Sequence, residues 1–257
     1  MSRKHVSFSE LKIWNECTHK HKLKYIDDVD GFLGNEHTAF GKAVHDVCEQ
    51  LLVSNKKLDL KKLFSLNFLN ELKDLEKKNV DLDKKLVQDM RKQGDSLVEF
   101  ILPATKKYFG NFELISAEEE LEETIENSSL KYKGYIDLVV KTNDGKYHIV
   151  DWKTCSWGWD ARRKADRMTT YQLTYYKYFF AKKHNIDPDN IETHFALLKR
   201  TAKSNRAEFF KVSSGKKKIE NALNLLHKAL YNIERRISIK NRLACTRCEF
   251  FNTPHCR

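Results

Sequence analysis

The stretch Gly134-Tyr135-Ile136-Asp137, followed fourteen residues after its aspartate by Asp151-Trp152-Lys153, decides how the rest of the chain is interpreted. Residues Tyr135–Val140 and Tyr147–Trp152 are rich in β-branched and aromatic side chains, and Thr142-Asn143-Asp144-Gly145 between them is a turn sequence. The pattern predicts a β-hairpin. A hairpin of this kind brings one acid from each strand to the same end of a sheet.

The acids and the lysine of this stretch are candidates for metal-dependent chemistry. Asp151 and Lys153 are two residues apart, so on an extended chain their side chains point to the same face. Two carboxylates and an ammonium group on one small patch are costly unless a divalent metal neutralises the acids, in which case the lysine can serve a water or a phosphate. For an isolated D-x-K sequence a surface salt bridge is the commoner explanation, so the rest of the chain must decide.

Composition favours a polyanionic partner. Lysine and arginine number 47 against 36 acids, which gives a formal charge of +11, and the hydrophobic fraction of 40% is enough for a sizeable core.

We expect neither a membrane span nor a signal peptide, because there is no apolar run of eighteen residues and no apolar segment behind a basic N-terminus. A cytoplasmic protein would keep its six cysteines mostly reduced, which directs attention to metal binding.

Hydrophobic periodicity and turn signals place the hairpin in an α/β fold with a mixed central sheet flanked by helices, preceded by an N-terminal helical region. We expect a single domain over residues 1–257, in which 1–110 are mainly helical, 111–213 form the sheet that contains the hairpin and its crossing helix, and 214–257 form a C-terminal helix and a cysteine-containing segment. The predicted elements are a first helix capped by Ser9, a helix over Gly41–Val53, two or three amphipathic helices between Lys56 and Tyr108, strands within Phe112–Ile125, a loop over Thr154–Thr170, a helix over Tyr171–Lys183, strands over His194–Arg200 and Phe209–Val212, and a helix over Lys216–Ile239.

Two segments near the hairpin allow more than one interpretation. The loop Thr154–Thr170 interleaves Trp157 and Trp159 with basic residues, which suits stacking on single-stranded nucleic acid or packing of the tryptophans on the core. The acidic run Glu118-Glu119-Glu120 is either a solvated strand edge or the source of one acid close to Asp137, and the sequence does not say which of the three that acid is.

Three cysteines close to the end of the sequence form a candidate cofactor site. Cys245-Thr246-Arg247-Cys248 is a C-x-x-C, and Cys256 follows eight residues later. Either tetrahedral zinc or a cubane iron–sulfur cluster needs a fourth ligand. Cys17 is the natural fourth thiolate. Cys48 lies in the apolar stripe of its helix and is predicted to be a core residue, and a cluster at Cys155 would crowd the metal expected beside Lys153. If the bound metal is zinc, His255 could replace a cysteine as a ligand.

In this combination of motifs the chain resembles the PD-(D/E)XK nuclease superfamily, and within it the RecB-like branch with an iron–sulfur clasp, as in CRISPR-associated iron–sulfur nucleases and nuclease domains of the AddB type. Each motif is short, but six of them occur in the family's order. They are Leu11-x-x-Trp14-x-x-Cys17, Gly41-x-x-x-His45, Gly134-x-Ile136-Asp137, Val150-Asp151-Trp152-Lys153-Thr154, Gln172-x-x-x-Tyr176 and the cysteine trio.

The resemblance implies a divalent metal site and an iron–sulfur clasp. Asp137 and Asp151 would bind catalytic magnesium or manganese. His45 and the backbone carbonyl of Trp152 would be the other ligands that the protein supplies. A [4Fe–4S] cluster, or zinc as the alternative, would be held by Cys17, Cys245, Cys248 and Cys256. The gap of seven residues before Cys256 is wider than is usual in the family.

The remaining motif residues are implied to act on the substrate. Lys153 would position or help deprotonate the attacking water and stabilise charge on the phosphate, and Gln172 and Tyr176 would orient the nucleic-acid strand and the lysine. We therefore expect a metal-dependent DNA nuclease, an exonuclease on single-stranded or free DNA ends, in DNA repair, recombination or phage and CRISPR DNA processing. Because the chain has no Walker A motif, a motor would be a partner helicase or another recombination or CRISPR protein.

Two alternatives stay open from the sequence. One is a nucleic-acid-binding scaffold subunit without catalysis, against which the intact Asp137, Asp151 and Lys153 argue. The other is a zinc-clasped endonuclease, which would be colourless and would nick closed circular DNA.

Overall fold

The computed structural model describes residues 4–54 and 57–257, so Lys56, the predicted start of the second helical region, lies outside the described residues. The chain divides into two compact units. The larger unit comprises Leu33–Glu119 and Tyr135–Ser214, and the smaller comprises Met1–Phe32, Glu120–Gly134 and Gly215–Arg257.

In the described part of the chain a run of helices follows the first short strand, and three consecutive strands, two helices, two further strands and a last helix come after that run. The helices are α1 Phe8–Glu16, α2 Thr18–Tyr25, α3 Glu36–Val53, α4 Leu60–Lys77, α5 Lys84–Leu97, α6 Ile101–Phe109, α7 Ala161–Ala165, α8 Arg167–His184 and α9 Lys216–Glu234, with short 3-10 turns at Val98–Phe100, Pro188–Asn190 and Arg242–Arg247. The strands are β1 His5–Ser7, β2 Phe112–Thr124, β3 Lys131–Thr142, β4 Tyr147–Cys155, β5 Ile191–Lys199 and β6 Ala207–Val212.

The predicted hairpin and the mixed sheet are confirmed. In the larger unit β3 runs antiparallel to β4, with Leu138 opposite Val150, and their turn places Gly145 at a φ of +83°, which glycine adopts without cost. Strand β4 is parallel to β5, β5 is antiparallel to β6, and β2 also pairs with β3. In the smaller unit β1 runs parallel to the first residues of β3, with Val6 opposite Tyr132.

One face of the sheet in the larger unit is covered by helices. Leu138, Val140, Val150 and Trp152 are buried in one cluster with apolar residues of α3, α4 and α5 and of the segment that follows α5. Since side chains alternate along a strand, Asp151 and Lys153 lie on the face of β4 opposite to Trp152. The alternation therefore places the apolar cluster on one face of β4 and the candidate catalytic residues Asp151 and Lys153 on the other.

Several predicted boundaries were wrong because side-chain caps begin helices elsewhere. Helix α1 begins at Phe8, since Ser7 rather than Ser9 accepts the N–H of Glu10. Helix α3 begins at Glu36, five residues before the predicted Gly41, because Asn35 and Thr38 form a capping box.

The remaining corrections concern the segment after the hairpin and the chain's last helix. The predicted loop Thr154–Thr170 contains α7 and the start of α8, since Asp160 and Asp166 each cap a helix with a side-chain carboxylate. Helix α9 ends at Glu234, short of Ile239, and Arg236 then takes a left-handed φ of +53°. Strand β1 was not predicted, because three residues are too few for a periodic signal.

The smaller unit has its own buried residues. Helix α9 buries Ala222, Leu226, Ala229, Leu230 and Ile233 along one face. Helix α1 contributes Leu11 and the buried Glu10, whose Oε1 lies 2.5 Å from Nε2 of His21 on α2. In the part of the chain that the structure describes, no helix combines the length and apolarity needed to cross a membrane.

Candidate active site

Two acids meet at the end of the hairpin in the larger unit. Asp137 directly precedes Leu138 on β3, and Asp151 directly follows its partner Val150 on β4. The backbone N–H of Trp152 donates to Oδ2 of Asp137 at 2.6 Å, and Nζ of Lys153 lies 2.5 Å from Oδ2 of Asp151. The D-x-K element therefore contains an ion pair, and the second acid lies beside it.

His45 joins this pair from α3. Its Nδ1 lies 3.6 Å from Oδ1 of Asp137. Burial lowers the pKa of His45, but the charge of Asp137 and a hydrogen bond to it outweigh the burial, so the pKa is raised above its usual value. The imidazole and both aspartates therefore act on one another electrostatically.

Glu118 is the acid that the sequence left unassigned. Ligand atoms of His45, Glu118 and Asp137 lie within 4.8 Å of one another, an arrangement that could hold a metal ion. Its neighbour Glu119 instead pairs with Lys183, at 3.0 Å, and with His184. Glu120, in the smaller unit, pairs with Lys133 at 3.0 Å.

The backbone explains why counting residues along β2 could not identify Glu118. Its φ is +50°, a left-handed conformation that is uncommon for a residue with a side chain and that interrupts the alternation of a strand. No residue in the acidic run is a glycine or asparagine, so the sequence carries no signal for the interruption. Left-handed residues of this kind are often held at functional sites.

Two acids of this site, Asp151 and Glu118, have raised pKa values, chiefly because they are buried. Burial raises the pKa of Asp151 to about 6, assisted by the charge of Asp137 and opposed by Lys153. Burial and the charges of Asp137 and Glu49 raise the pKa of Glu118 to about 7. A divalent cation would relieve this repulsion, and carboxylate oxygens are the ligands that magnesium prefers, so the donor set fits such an ion.

Gln172 and Tyr176 lie together one turn apart on α8. The side-chain amide of Gln172 donates to the hydroxyl of Tyr176 at 3.0 Å. Burial raises the pKa of Tyr176, as does the negative charge of Asp151. The tyrosine hydroxyl is therefore neutral and within electrostatic range of the candidate acids.

The two tryptophans after β4 divide between the two alternatives left open by the sequence. Trp157 is 78% exposed. Trp159 is buried, with its ring centroid 5.2 Å from that of Phe195, and the guanidinium of Arg163 lies 4.5 Å above it. Of these two tryptophans, Trp157 is the one with an exposed ring.

The four predicted clasp cysteines line one cavity of about 300 Å³ in the smaller unit. The backbone N–H of Asn241 donates to Sγ of Cys17 at 3.3 Å, and Sγ of Cys245 lies 4.0 Å from the Asn241 carbonyl. No three cysteine sulfurs of the described residues lie within 4.8 Å of one another. His255 is exposed and does not line this cavity.

The other two cysteines belong to the larger unit. Cys48 is buried on α3 among core residues, as its spacing predicted. Cys155 is the last residue of β4 and is half-buried, and burial raises the pKa of its thiol. Neither lies in the unit that contains the other four.

Comparison with known proteins agrees with this architecture. The chain is similar to a "putative exonuclease" of Eubacterium rectale, with 14% identity over 90% of this chain and 79% of that one and a TM-score of 0.55, which is a likeness of fold. The structure of SSO0001 has 17% identity over 81% of this chain and 91% of that one, with a TM-score of only 0.39. A search of curated proteins finds no match. The model of the PD-(D/E)XK nuclease superfamily matches residues 5–253, and the chain therefore belongs to that superfamily.

Proposed function

We propose that the protein is a metal-dependent nuclease that hydrolyses phosphodiester bonds of DNA, acting as an exonuclease on single-stranded ends. The observation that carries the proposal is the convergence of Glu118, Asp137 and Asp151 with His45 and Lys153, in which burial and mutual repulsion raise the pKa of two of the three carboxyls. A scaffold protein has no use for so costly a cluster.

The ion would be magnesium or manganese. Asp137, Asp151 and Glu118 would hold it with His45, and the Trp152 carbonyl would complete the set, while the Trp152 N–H keeps Asp137 in place. When bound, such an ion supplies positive charge to the scissile phosphate and makes water a stronger acid. The carboxylates themselves would be kept ionised by the ion, which reverses the effect of their mutual repulsion on the pKa values.

Lys153 is the group we assign to the attacking water and the phosphate. Its side chain is 29% exposed, so a substrate can reach the ammonium group while the buried Asp151 anchors it. The ammonium charge stabilises the additional negative charge of the pentavalent phosphorus transition state. Gln172 and Tyr176 would orient the DNA strand and the lysine, because the neutral tyrosine hydroxyl can donate a hydrogen bond where an anion would repel Asp151.

Single-stranded DNA fits the segment that follows β4. Trp157 is exposed for base stacking, and Arg162 and Arg167 are exposed cations in the same segment. The formal charge of +11 adds a long-range attraction for the phosphate backbone. We propose further that residues 1–257 act as one cytoplasmic nuclease domain, with any motor activity supplied by a partner helicase or by another recombination or CRISPR protein.

For the cysteines we propose the RecB-like clasp with a [4Fe–4S] cluster. Four thiolates around one zinc ion lie about 3.8 Å apart, given Zn–S bonds of about 2.3 Å in a tetrahedron. A four-iron cluster holds each thiolate on a separate iron and needs wider spacing. The four cysteines line one cavity of about 300 Å³, which supports a single cofactor shared by all of them.

The decisive test of the nuclease is Asp151→Ala assayed against end-labelled single-stranded DNA, with Asp74→Ala as the matched control. Asp74 is an exposed acid of α4, paired with Lys77. We expect magnesium- or manganese-dependent cleavage by the wild type and the control, none by Asp151→Ala, and DNA binding by all three. Cleavage in excess chelator would refute the metal mechanism, and a wild type that binds but never cleaves would favour the scaffold.

Absorption spectroscopy and metal analysis of anaerobically purified protein test the clasp. A broad visible band with about four irons per chain is expected for a cluster held by four cysteines. A colourless protein with one zinc would favour the zinc-clasped endonuclease, and closed circular DNA would then be the substrate to examine for nicking.

A further inference from the structure

A second group of ligand-type side chains lies in the larger unit, on the face of β4 opposite to Asp151. His148 on β4 and Glu192 on β5 are directly opposite in the parallel register, and His194 lies two residues further along β5. Their ligand atoms lie within 4.8 Å of one another. His148 precedes Asp151 by three residues, which is about 10 Å along the strand. The group is therefore separate from the candidate active site.

The facing nitrogens of the two imidazoles point at each other. Nδ1 of His148 lies 3.0 Å from Nε2 of His194. Both rings are buried, and burial lowers both pKa values, that of His194 to about 3. Both histidines are therefore neutral, and neutral imidazole is the form that binds metals.

Each imidazole has an oxygen partner on its outer nitrogen. Nε2 of His148 lies 2.8 Å from Oγ1 of Thr142, whose hydroxyl donates to Asp144 at 2.5 Å. Because the hydroxyl proton is used on Asp144, the His148 nitrogen must donate to Thr142, which leaves a lone pair on Nδ1 facing the cluster. Nδ1 of His194 lies 3.2 Å from the hydroxyl of Tyr108. Metal-binding histidines are typically oriented by such outer oxygen partners.

Glu192 completes the group with one oxygen. Its Oε1 is taken by Nζ of Lys211 at 2.7 Å and of Lys146 at 3.0 Å, while its Oε2 is directed towards Nδ1 of His148 at 3.9 Å. Hydrogen bonds from these lysines outweigh burial and lower the pKa of Glu192 to about 2, so the carboxylate is ionised. One oxygen is anchored by the two lysines, and the other lies towards His148.

We propose that His148, His194 and Glu192 form a second metal site, selective for zinc and distinct from the nuclease centre. Two imidazole nitrogens and one carboxylate oxygen are an ordinary zinc donor set, with solvent left as the fourth ligand. The nitrogens would have to separate from 3.0 Å to about 3.3 Å to fit Zn–N bonds of about 2.05 Å, a shift of a few tenths of an ångström. The group borders a surface cavity of about 510 Å³, through which the ion and a water can enter.

The proton balance of binding is simple. Without metal, His194 donates through Nε2 to His148 and accepts at Nδ1 from Tyr108. With zinc on Nε2, the ring proton moves to Nδ1 and is donated to the Tyr108 oxygen, so the imidazole changes tautomer and no proton is released. The ammonium groups of Lys146 and Lys211 offset the negative charge of Glu192. Magnesium binding depends mainly on carboxylate charge, whereas zinc also binds well to imidazole nitrogens, so the site favours zinc over magnesium.

The test is equilibrium dialysis of the full-length protein against zinc, with magnesium in excess to fill the nuclease centre. The variants are His194→Asn and, as a matched control, His37→Asn, which changes an exposed histidine of α3 in the same unit. We expect His194→Asn to bind one zinc fewer per chain, or at least about 100-fold more weakly, and His37→Asn to match the wild type. Tyr108→Phe, which removes the outer partner of His194, should weaken zinc binding by about 10-fold.

A spectroscopic measurement keeps the proposal testable if His194→Asn fails to fold. Cupric ion bound to the wild type should show hyperfine coupling to two imidazole nitrogens in its electron paramagnetic resonance spectrum. Equal zinc affinity in His194→Asn and wild type, or a wild type that binds no zinc beyond the cysteines, would overturn the site. The same dialysis with Asp151→Ala should give the wild-type zinc count, so the outcome does not depend on the nuclease proposal.

Discussion

The backbone N–H of Trp152 on β4 donates a hydrogen bond of 2.6 Å to the Asp137 carboxylate on β3, so the main chain of one strand positions the acid of the next. The hydrogen bond takes Oδ2, while Oδ1 faces His45 at 3.6 Å. A carboxylate held in this way loses little conformational freedom when a metal or substrate binds, which is an advantage for a catalytic site. The relation also explains why Asp137 and Asp151 act as a pair although Asp151 follows Asp137 by fourteen positions in the chain.

Glu118→Gln should impair catalysis although the sequence motifs omit this residue. The amide keeps the size of the side chain but removes the charge beside His45 and Asp137. We expect a loss of about 10- to 100-fold in kcat/KM and a higher magnesium concentration at half-maximal rate. Glu120→Gln, two residues along the same strand, is the matched control and should cleave like wild type. Equal rates for both variants would remove Glu118 from the site.

Cys17→Ser should lose the visible absorption expected of the clasp. It should also lower the midpoint of thermal unfolding by about 5 °C or more, because a cofactor that joins distant parts of the chain restricts the unfolded state. Cys155→Ser is the control, because Cys155 is also half-buried but lies in the larger unit. Differential scanning calorimetry and absorption spectroscopy provide the two readouts. An unchanged Cys17→Ser protein would exclude this cysteine from the clasp.

Gly94→Ala should destabilise the larger unit even though alanine favours helices. A Cβ at this position of α5 would lie 2.1 Å from ring atoms of Phe64, a fully buried residue of α4. The overlap should cost about 1–3 kcal/mol of unfolding free energy, more than the helix propensity that alanine gains. Chemical denaturation measures the change. Adding Phe64→Leu should recover part of the loss in a double-mutant cycle, and additive effects would contradict the contact.

Glu208→Gln should change the pH dependence of stability. Burial raises the pKa of Glu208, but hydrogen bonds from Lys164 and Lys199 outweigh it and the net pKa is lowered. A carboxyl whose pKa is lower in the folded than in the unfolded state stabilises the protein at pH values above its unfolded-state pKa, which is about 4.3 for glutamate. This stabilisation is lost as the pH falls through the folded-state pKa. Glu208→Gln should therefore cost about 2 kcal/mol at pH 7, and this difference should shrink below about pH 4.

The control for this experiment is Glu220→Gln, which removes an exposed acid of α9 paired with Lys217. Its stability should follow the wild type at every pH, because exposed pairs contribute little. Denaturation curves between pH 7 and pH 3 provide the comparison. A Glu208→Gln deficit that stays constant across this range would contradict the linkage to ionisation.

Local sequence patterns predict the hairpin because its determinants are close in the chain. Strand-forming side chains on either side of an Asp-Gly turn place Asp137 and Asp151 without knowledge of any other element. Helix starts such as Glu36 depend on a cap at Asn35 that competes with other polar residues, and these boundaries were predicted less well. The interruption at Glu118 depends on the surrounding structure and has no local signature.

The second histidine group escaped the sequence for a different reason. His148 and His194 come together only through the parallel pairing of β4 and β5, and parallel strands are connected by long crossovers whose register the sequence does not specify. A histidine in an otherwise apolar strand also gives no periodic signal of its own. Such sites are found only once the register of the sheet is known.

The left-handed backbone at Glu118 limits which amino acids evolution can use there. Glycine, asparagine and aspartate adopt such a φ most readily, whereas β-branched residues scarcely do. In a saturation library of this codon, selection for folding alone should enrich those three residues. Selection for cleavage should retain aspartate and glutamate, because only they also supply a carboxylate. Aspartate is therefore the one replacement that both selections favour, and the natural glutamate gives up some ease of backbone conformation for the longer reach of its side chain.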